Sequence, residues 1–221
     1  MARRGAPGND VGSGDPETAR NRMVDGLAGR IDRPSTASAM RAVPRHAFVP
    51  ESRRGDAYAD RPLPIGRDQT ISAPHMVAEM VDRLALSPGD RVLEVGTGCG
   101  YHAAVAAEVV GAENVYSVEY HAKLAETARE RLDELGYGEV SIRAGDGWTG
   151  WPEHAPYDDA YLTCAAPRFP DALVEQVREG GRVLGPIGEG SQHLVGLTKG
   201  PDGVERERFG RVRFVPMRGG E

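Results

Sequence analysis

The chain has 221 residues, of which 39% are hydrophobic and 27% charged, enough for one substantial soluble core. Its 33 acids and 27 bases give a formal net charge of −6, and because Lys123 and Lys199 are its only lysines, the remaining bases are arginines. This balance disfavours a general nucleic-acid binder, which needs a basic stripe; no apolar run approaches the ~20 residues that cross a bilayer, the N-terminal arginines precede no apolar signal region, and Cys99 and Cys164 give neither a disulfide framework nor metal-ligand spacing, so no nucleic acid, membrane or metal is expected and a reducing cytoplasm fits.

Residues 1–16 are rich in Gly, Pro and polar side chains and are expected to form a mobile tail. Pro16 to Arg30 then predicts a helix with Met23, Val24 and Leu27 on one face, and Asp32 to Val43 a second, short one. From Pro44 to Gln69 the chain is dense in Pro, Gly and charge; at that length a structured, functional loop is expected, within which Phe48 and Val49 read as core. "SAPHMVAEMVDRLAL" predicts a helix with Ser72 as N-cap and Pro74 in its first turn. The centre alternates: "RVLEV", "NVYSVEY", "EVSIRAG", "YDDAYLTCA" and "RVLGPIG" as strands, with "YHAAVAAEVV", "HAKLAETARERLDEL" and "PDALVEQVREG" as helices. Such alternation predicts a parallel sheet with right-handed crossovers. "HLVGLTKG" and "RFGRVRFVPM" have no helix between them, and the intervening "KGPDG" supplies a turn, so an antiparallel pair closes the sheet.

In a doubly wound sheet the ligand sits beyond the carboxyl ends of the strands, at the first strand–helix turn. Gly96, Gly98 and Gly100 lie there with Thr97 between the first two. A triphosphate loop needs a Gly-Lys-Ser/Thr that is absent, and the dinucleotide fingerprint needs its third glycine at 101, where Tyr101 stands. The pattern Glu94-x-Gly96-x-Gly98-x-Gly100 instead resembles the first motif of S-adenosylmethionine-dependent methyltransferases. That cofactor has no pyrophosphate but carries an ammonium and a sulfonium, to which Glu94 would supply a negative field. Glu119, at the end of the next strand, is placed to accept from both ribose hydroxyls. Asp146 is placed to accept from the adenine amino group, with Gly147 leaving room for the ring; a simple turn role for Asp146 stays open.

Further stretches extend the likeness: "VPRHAFVP", "AYADRPLPIG", "QTISAPHMVAEM", "GDGWTGWPEHAPYD" and "RVRFVPM". Together with "VLEVGTGCGYHAA" they resemble, in order and spacing from about Met23 to Met217, the protein-L-isoaspartate O-methyltransferase family. The resemblance implies an α/β fold, a doubly wound and mostly parallel methyltransferase sheet with an antiparallel C-terminal strand and added N-terminal helices. It implies one domain over 17–221, whose residues 17–73 form a helical and loop extension. It implies methyl transfer from S-adenosyl-L-methionine, leaving S-adenosyl-L-homocysteine, to the free carboxyl of L-isoaspartyl residues in damaged peptides and proteins, by a chain expected to be a monomer. Carried over residue by residue, Ser72 matches the active-site serine and Thr70 and Ile71 match cofactor-lining positions. Gly96, Thr97, Gly98, Gly100, Glu119, Asp146 and Gly147 match the cofactor loop, ribose acid and adenine turn, and Ala165, Ala166 and Pro167 a segment near the transfer site. The chain departs from the common pattern at Val77, where many members carry a second histidine, and at Met217–Arg218, where many read Leu-Thr. Two rival functions remain: a methyltransferase for another substrate, and a cofactor-binding module without transfer activity.

A carboxylate nucleophile with a free pKa of about 3.3–3.7 is already ionised at neutral pH and needs no general base. A neutral donor such as Ser72 suits its positioning better than an arginine, whose salt bridge would hold the ground state too tightly. Helix capping is the competing role for the same hydroxyl.

Overall fold

The computed structural model describes residues 15–220. The tail expected over 1–16 lies outside them except for its last two residues, which cap and open a helix. Asp15 caps α1 (Pro16–Gly26), its carboxylate accepting the Thr18 N–H at 3.2 Å, and Pro16 opens it with the φ a first turn needs. α2 (Pro34–Ala42) follows, again opened by proline. Met23, Val24, Leu27 and Met40 are buried, so both helices close one side of the core.

The stretch from Pro44 to Gln69 is structured, in accord with its length and composition. Tight turns over Arg45–Phe48 and Glu51–Asp56 lead into a hairpin of β1 (Leu63–Gly66) and β2 (Gln69–Ile71), turned by Arg67 and Asp68 at φ 51° and 58°. Phe48 and Val49 are core, Phe48 meeting the Tyr101 ring edge-on at 5.5 Å. α3 (Pro74–Leu84) begins one residue later than its capping signal suggests. Ala73, not Ser72, occupies the cap position and no side chain caps the helix. Pro74 sets this start: it occupies the first helical position and holds Ala73 extended, at ψ 147°.

The main sheet is built from β3 (Val92–Val95), β4 (Val115–Glu119), β5 (Ser141–Ala144), β6 (Tyr157–Leu162), β7 (Val177–Ile187), β8 (Gln192–Gly200) and β9 (Gly203–Val212). The spatial order is β5-β4-β3-β6-β7-β8-β9, with the first five parallel and the last two antiparallel. α4 (Tyr101–Val110), α5 (Ala122–Glu134) and α6 (Asp171–Gln176) lie in the crossovers. Strand order reverses beside β3, which opens a crevice at the carboxyl ends of β3 and β6. β3 is buried along its whole length, as expected of a central parallel strand. Its register puts Glu94 opposite Ser117 on one side and Tyr161 on the other.

Several elements differ from their predicted extents, α1 among them, which stops at Gly26 instead of reaching Arg30. The helix expected over 170–180 stops at Gln176, and β7 starts at Val177. Residues 178–181 make an excursion in the β6–β7 register, closed by Gly181, where a Cβ would stand 2.0 Å from the Asp158 carbonyl oxygen. β9 starts at Gly203, five residues before the expected strand, and its Glu-Arg-Glu-Arg run is exposed on both faces. Pairing with β8 creates it, through a two-residue turn at Pro201–Asp202. Beyond Val212 the chain leaves the sheet and crosses the strand ends towards β6, where Pro216 bridges Ala165. No helix among the described residues is long and apolar enough to cross a membrane.

Candidate active site

Four stretches from distant parts of the chain meet above the crevice: the hairpin with the start of α3, the glycine loop after β3, the ends of β4 and β6, and the crossing segment 211–218. The glycine loop is shaped by backbone geometry that side chains would prevent. Gly96 has φ +104°, and a Cβ there would stand 2.3 Å from the Thr163 Oγ1. The Thr163 hydroxyl donates to the Gly96 carbonyl, fixing the loop to the end of β6. The Gly98 N–H donates to Glu119 Oε2 at 2.9 Å, and Gly100 closes the turn into α4 against Leu132.

Glu119 is buried at the end of β4, its other oxygen accepting the His121 N–H at 2.9 Å. The carboxylate is thus locked in place, with acceptor capacity left on each oxygen. It lines a narrow cleft together with Gln69, Gly96, Gly147, Cys164 and Met217. Gly147 is the second position without room for a side chain: a Cβ would stand 2.3 Å from Val95 Cγ1 and 3.1 Å from Met217 Cε. Asp146 borders the outer end of this cleft. Its Oδ1 accepts the Trp148 N–H at 2.9 Å and its Oδ2 the Gly220 N–H at 2.8 Å, so the crossing segment ends against it.

A larger cavity of about 410 Å³ opens on the far side of Gly96, walled by Pro62, Thr70, Ser72, His75, Thr163 and residues 211–215. Between the two lies a slot of about 30 Å³ against the glycine loop, lined by Ile71, Thr97, Gly98 and His102. Ser72, Thr70 and Thr163 line both the slot and the large cavity. Ser72 is held by its backbone: the fully buried Arg45 donates from Nη2 to the Ser72 carbonyl at 2.7 Å and from Nε to that of Ala57 at 2.8 Å. The Arg45 guanidinium sits 4.8 Å from the centre of the Tyr101 ring, and burial lowers its pKa. The Ser72 hydroxyl itself has no hydrogen-bond partner among the described residues, which leaves it free for a ligand.

Not every residue named from the sequence reaches these spaces. Glu94 is completely buried beneath the loop, where it accepts from Ser117 Oγ at 2.5 Å, and Ser117 in turn contacts Thr97 Oγ1 at 2.5 Å. Burial pushes its pKa up to about 8. Burial thus favours the neutral carboxyl and weakens the negative field expected from Glu94. Ala165 and Ala166 are also spent on structure. Ala165 exchanges hydrogen bonds with Val215 and Met217, Ala166 donates to the Pro186 carbonyl, and Pro167 points to solvent. Thr163 and residues 211–215 stand where that segment was expected. Sequence inspection missed Arg45, Thr163 and His102, which belong to no spaced pattern; the only signal for Gln69 was its place beside Thr70.

The site fits S-adenosylmethionine on three observations: Gly96 and Gly147, which line the clefts where neighbouring side chains leave no room for a Cβ, a fixed carboxylate beside them, and a buried imidazole, His102, with neither nitrogen partnered among the described residues. Comparison with known proteins agrees. A family model described as protein-L-isoaspartate(D-aspartate) O-methyltransferase matches residues 19–221. The chain is 50% identical over 208 residues to protein-L-isoaspartate O-methyltransferase 2 of Archaeoglobus fulgidus, covering 93% of this chain and 95% of that one. It is 49% identical over 221 residues to the Methylorubrum extorquens protein-L-isoaspartate O-methyltransferase, covering 98% and 96%. A solved protein-L-isoaspartate O-methyltransferase superposes with TM-score 0.82 at 32% identity, over 90% of this chain and 66% of that one. A putative Plasmodium falciparum enzyme of the same name, crystallised with S-adenosyl-L-homocysteine, superposes with TM-score 0.80 at 27% identity, over 90% and 98%. By the family match across nearly all of its length and by relatives at half identity, the chain belongs to the protein-L-isoaspartate(D-aspartate) O-methyltransferase family.

Proposed function

We propose that the chain methylates the free carboxyl of L-isoaspartyl residues in damaged peptides and proteins, with S-adenosylmethionine as donor, and so starts their return to aspartate. The observation that carries this reading is the position of Ser72: its hydroxyl is uncommitted and it lines both the slot against the glycine loop and the open cavity. When bound, the cofactor supplies an electrophilic methyl on a sulfonium. Glu119 would hold the ribose hydroxyls, Asp146 and Gly147 the adenine, and Gly96 to Gly100 with Thr70 and Ile71 the remainder.

The chain's own work is positioning and exclusion of water. The incoming carboxylate is ionised at neutral pH, so no side chain has to take a proton from it. The nearest histidine of the open cavity, His75, is tied to Asp60 at 2.8 Å, and burial keeps His102 neutral with a pKa of about 3. Ser72 donates one hydrogen bond to a carboxylate oxygen and leaves the other to attack. Holding reactants in line contributes up to roughly 7–11 kcal/mol in favourable systems. Arg211 and Arg213, exposed at the cavity rim and without an ion pair among the described residues, draw an anionic substrate in without gripping the reacting oxygen.

In this reading the chain acts as a monomer in the cytoplasm, a setting that suits its two free cysteine thiols. It also works as one domain, since one of its two apolar clusters runs from Met23 through Val92 to Leu194 and joins the N-terminal helices to the sheet. The test is incubation with labelled S-adenosylmethionine and an isoaspartyl peptide beside its aspartyl twin. Label is expected in the first only; equal labelling of both, or of neither, overturns the proposal.

A further inference from the structure

His102 is the second residue of α4, directly above the sheet, and is 6% exposed. Neither Nδ1 nor Nε2 has a hydrogen-bond partner among the described residues. Its ring packs on Tyr161 in a tilted arrangement, with centroids 4.6 Å apart and planes at 33°, so the imidazole plane is held while both nitrogens stay buried and unpaired. Leaving two buried polar atoms unmatched is costly, and native proteins keep such an arrangement where a ligand or water completes it. Here the imidazole lines the slot that also holds Ser72, Thr97 and Thr163.

The slot is one end of an elongated site. Glu119 and Gly147 line the neighbouring cleft and are absent from the slot; Gly96 lines both. A ligand with its nucleoside against Glu119 and Gly147 therefore crosses Gly96 and brings its other end, the amino-acid head next to the sulfur, into the slot. That head carries an ammonium, which needs acceptors. Glu94 lies beneath the loop and is no part of the slot, and no carboxylate lines it. The bare nitrogen of a neutral imidazole is the strongest side-chain acceptor left among hydroxyls.

Resting on the function proposed above, we propose that His102 is a cofactor-positioning residue: its imidazole accepts a hydrogen bond from the ammonium of the cofactor's amino-acid head and so sets where the sulfur stands relative to Ser72. The test compares calorimetric binding of S-adenosylhomocysteine with that of 5′-methylthioadenosine, which keeps the nucleoside and sulfur but lacks the head. In His102→Phe, which retains an aromatic ring to stack on Tyr161, S-adenosylhomocysteine is expected to bind about tenfold more weakly, the order of one lost charge-assisted bond. 5′-Methylthioadenosine should bind as in the wild type, and His102→Gln should recover most of the loss. Unchanged affinity for both ligands, or an equal loss for both, overturns the inference. In the unaltered protein, the His102 ring nitrogen resonances should move with S-adenosylhomocysteine and not with 5′-methylthioadenosine; failure to move with the former overturns it without any variant. Wild-type turnover of an isoaspartyl peptide is measured in parallel. Turnover together with undiminished S-adenosylhomocysteine binding by His102→Phe removes this inference alone, whereas absent turnover removes the proposed function.

Discussion

Ser72 shows how one atom's surroundings separate two roles that sequence leaves tangled. A serine two residues before a helix start suggests a cap, yet Ala73 holds the cap position and the hydroxyl is left free. Removing it should therefore spare the fold. Ser72→Ala is expected to lower kcat/KM for an isoaspartyl peptide by roughly 10- to 100-fold, the worth of a hydrogen bond to a charged group, with a melting temperature within about 1 °C of wild type. Full turnover with a lowered melting temperature would reverse both assignments. The residues most legible from sequence were those whose spacing carries chemistry. Gly96 and Gly147 sit where neighbouring side chains tolerate no Cβ, and Glu119 ends its strand in the cleft beside them. Glu94 fits the same motif but misleads, because spacing does not say which side of the loop a side chain ends on. His102 had no spacing signal at all: one histidine in an alanine-rich helix resembles any core histidine.

At the scale of elements, alternation of strand and helix was enough to foresee the sheet and its antiparallel close. Ends were harder where tertiary pairing overrides local pattern. Residues 178–180 look helical, yet the open edge of β6 and the glycine at 181 draw them into β7. The charged start of β9 has no apolar alternation and is a strand only because β8 lies beside it. The β1–β2 hairpin belongs to this scale as well, since its turn sets how Ile65 sits over Gly98, with a Cβ on Gly98 reaching Ile65 Cδ1 at 3.3 Å. Arg67 and Asp68 both adopt left-handed backbone, a conformation that tight hairpin turns favour with Asn-Gly or Asp-Gly. Asp68→Gly should relieve that strain. It is expected to add about 0.5–1 kcal/mol of stability, raising the melting temperature by roughly 1–4 °C. An unchanged or lower melting temperature in a thermal scan would show that the Asp68 side chain supports the turn.

For the molecule as a whole, the buried ionisable groups set how stability depends on pH. Glu94 is raised from the usual 4.5 to about 8 in the folded chain, and His102 is lowered from 6.5 to about 3, both by burial. The carboxyl keeps its proton in the fold and loses it on unfolding, so its contribution is complete below pH 4.5 and disappears as pH rises through 8. The imidazole works in the opposite sense, its contribution present above pH 6.5 and lost as pH falls towards 3. Between these two regimes, from pH 6.5 to 8, the Glu94 contribution dominates. Urea unfolding is expected to show stability falling by up to about 1.4 kcal/mol per pH unit across that window, and Glu94→Gln should flatten the slope. An equal slope in the variant would mean that the proton is released elsewhere.

The path of residues 211–218 across the strand ends has a consequence for the order in which the protein comes into being. This stretch walls the large cavity, presses Met217 beside Gly147 and is pinned by Ala165. A nascent polypeptide that has emerged only as far as β8 already contains the glycine loop, Glu119 and Ser72, yet has no roof over them. Cofactor in the surrounding solution thus meets an open trough during synthesis, and the walls that enclose it are completed only when residues 211–218 have emerged.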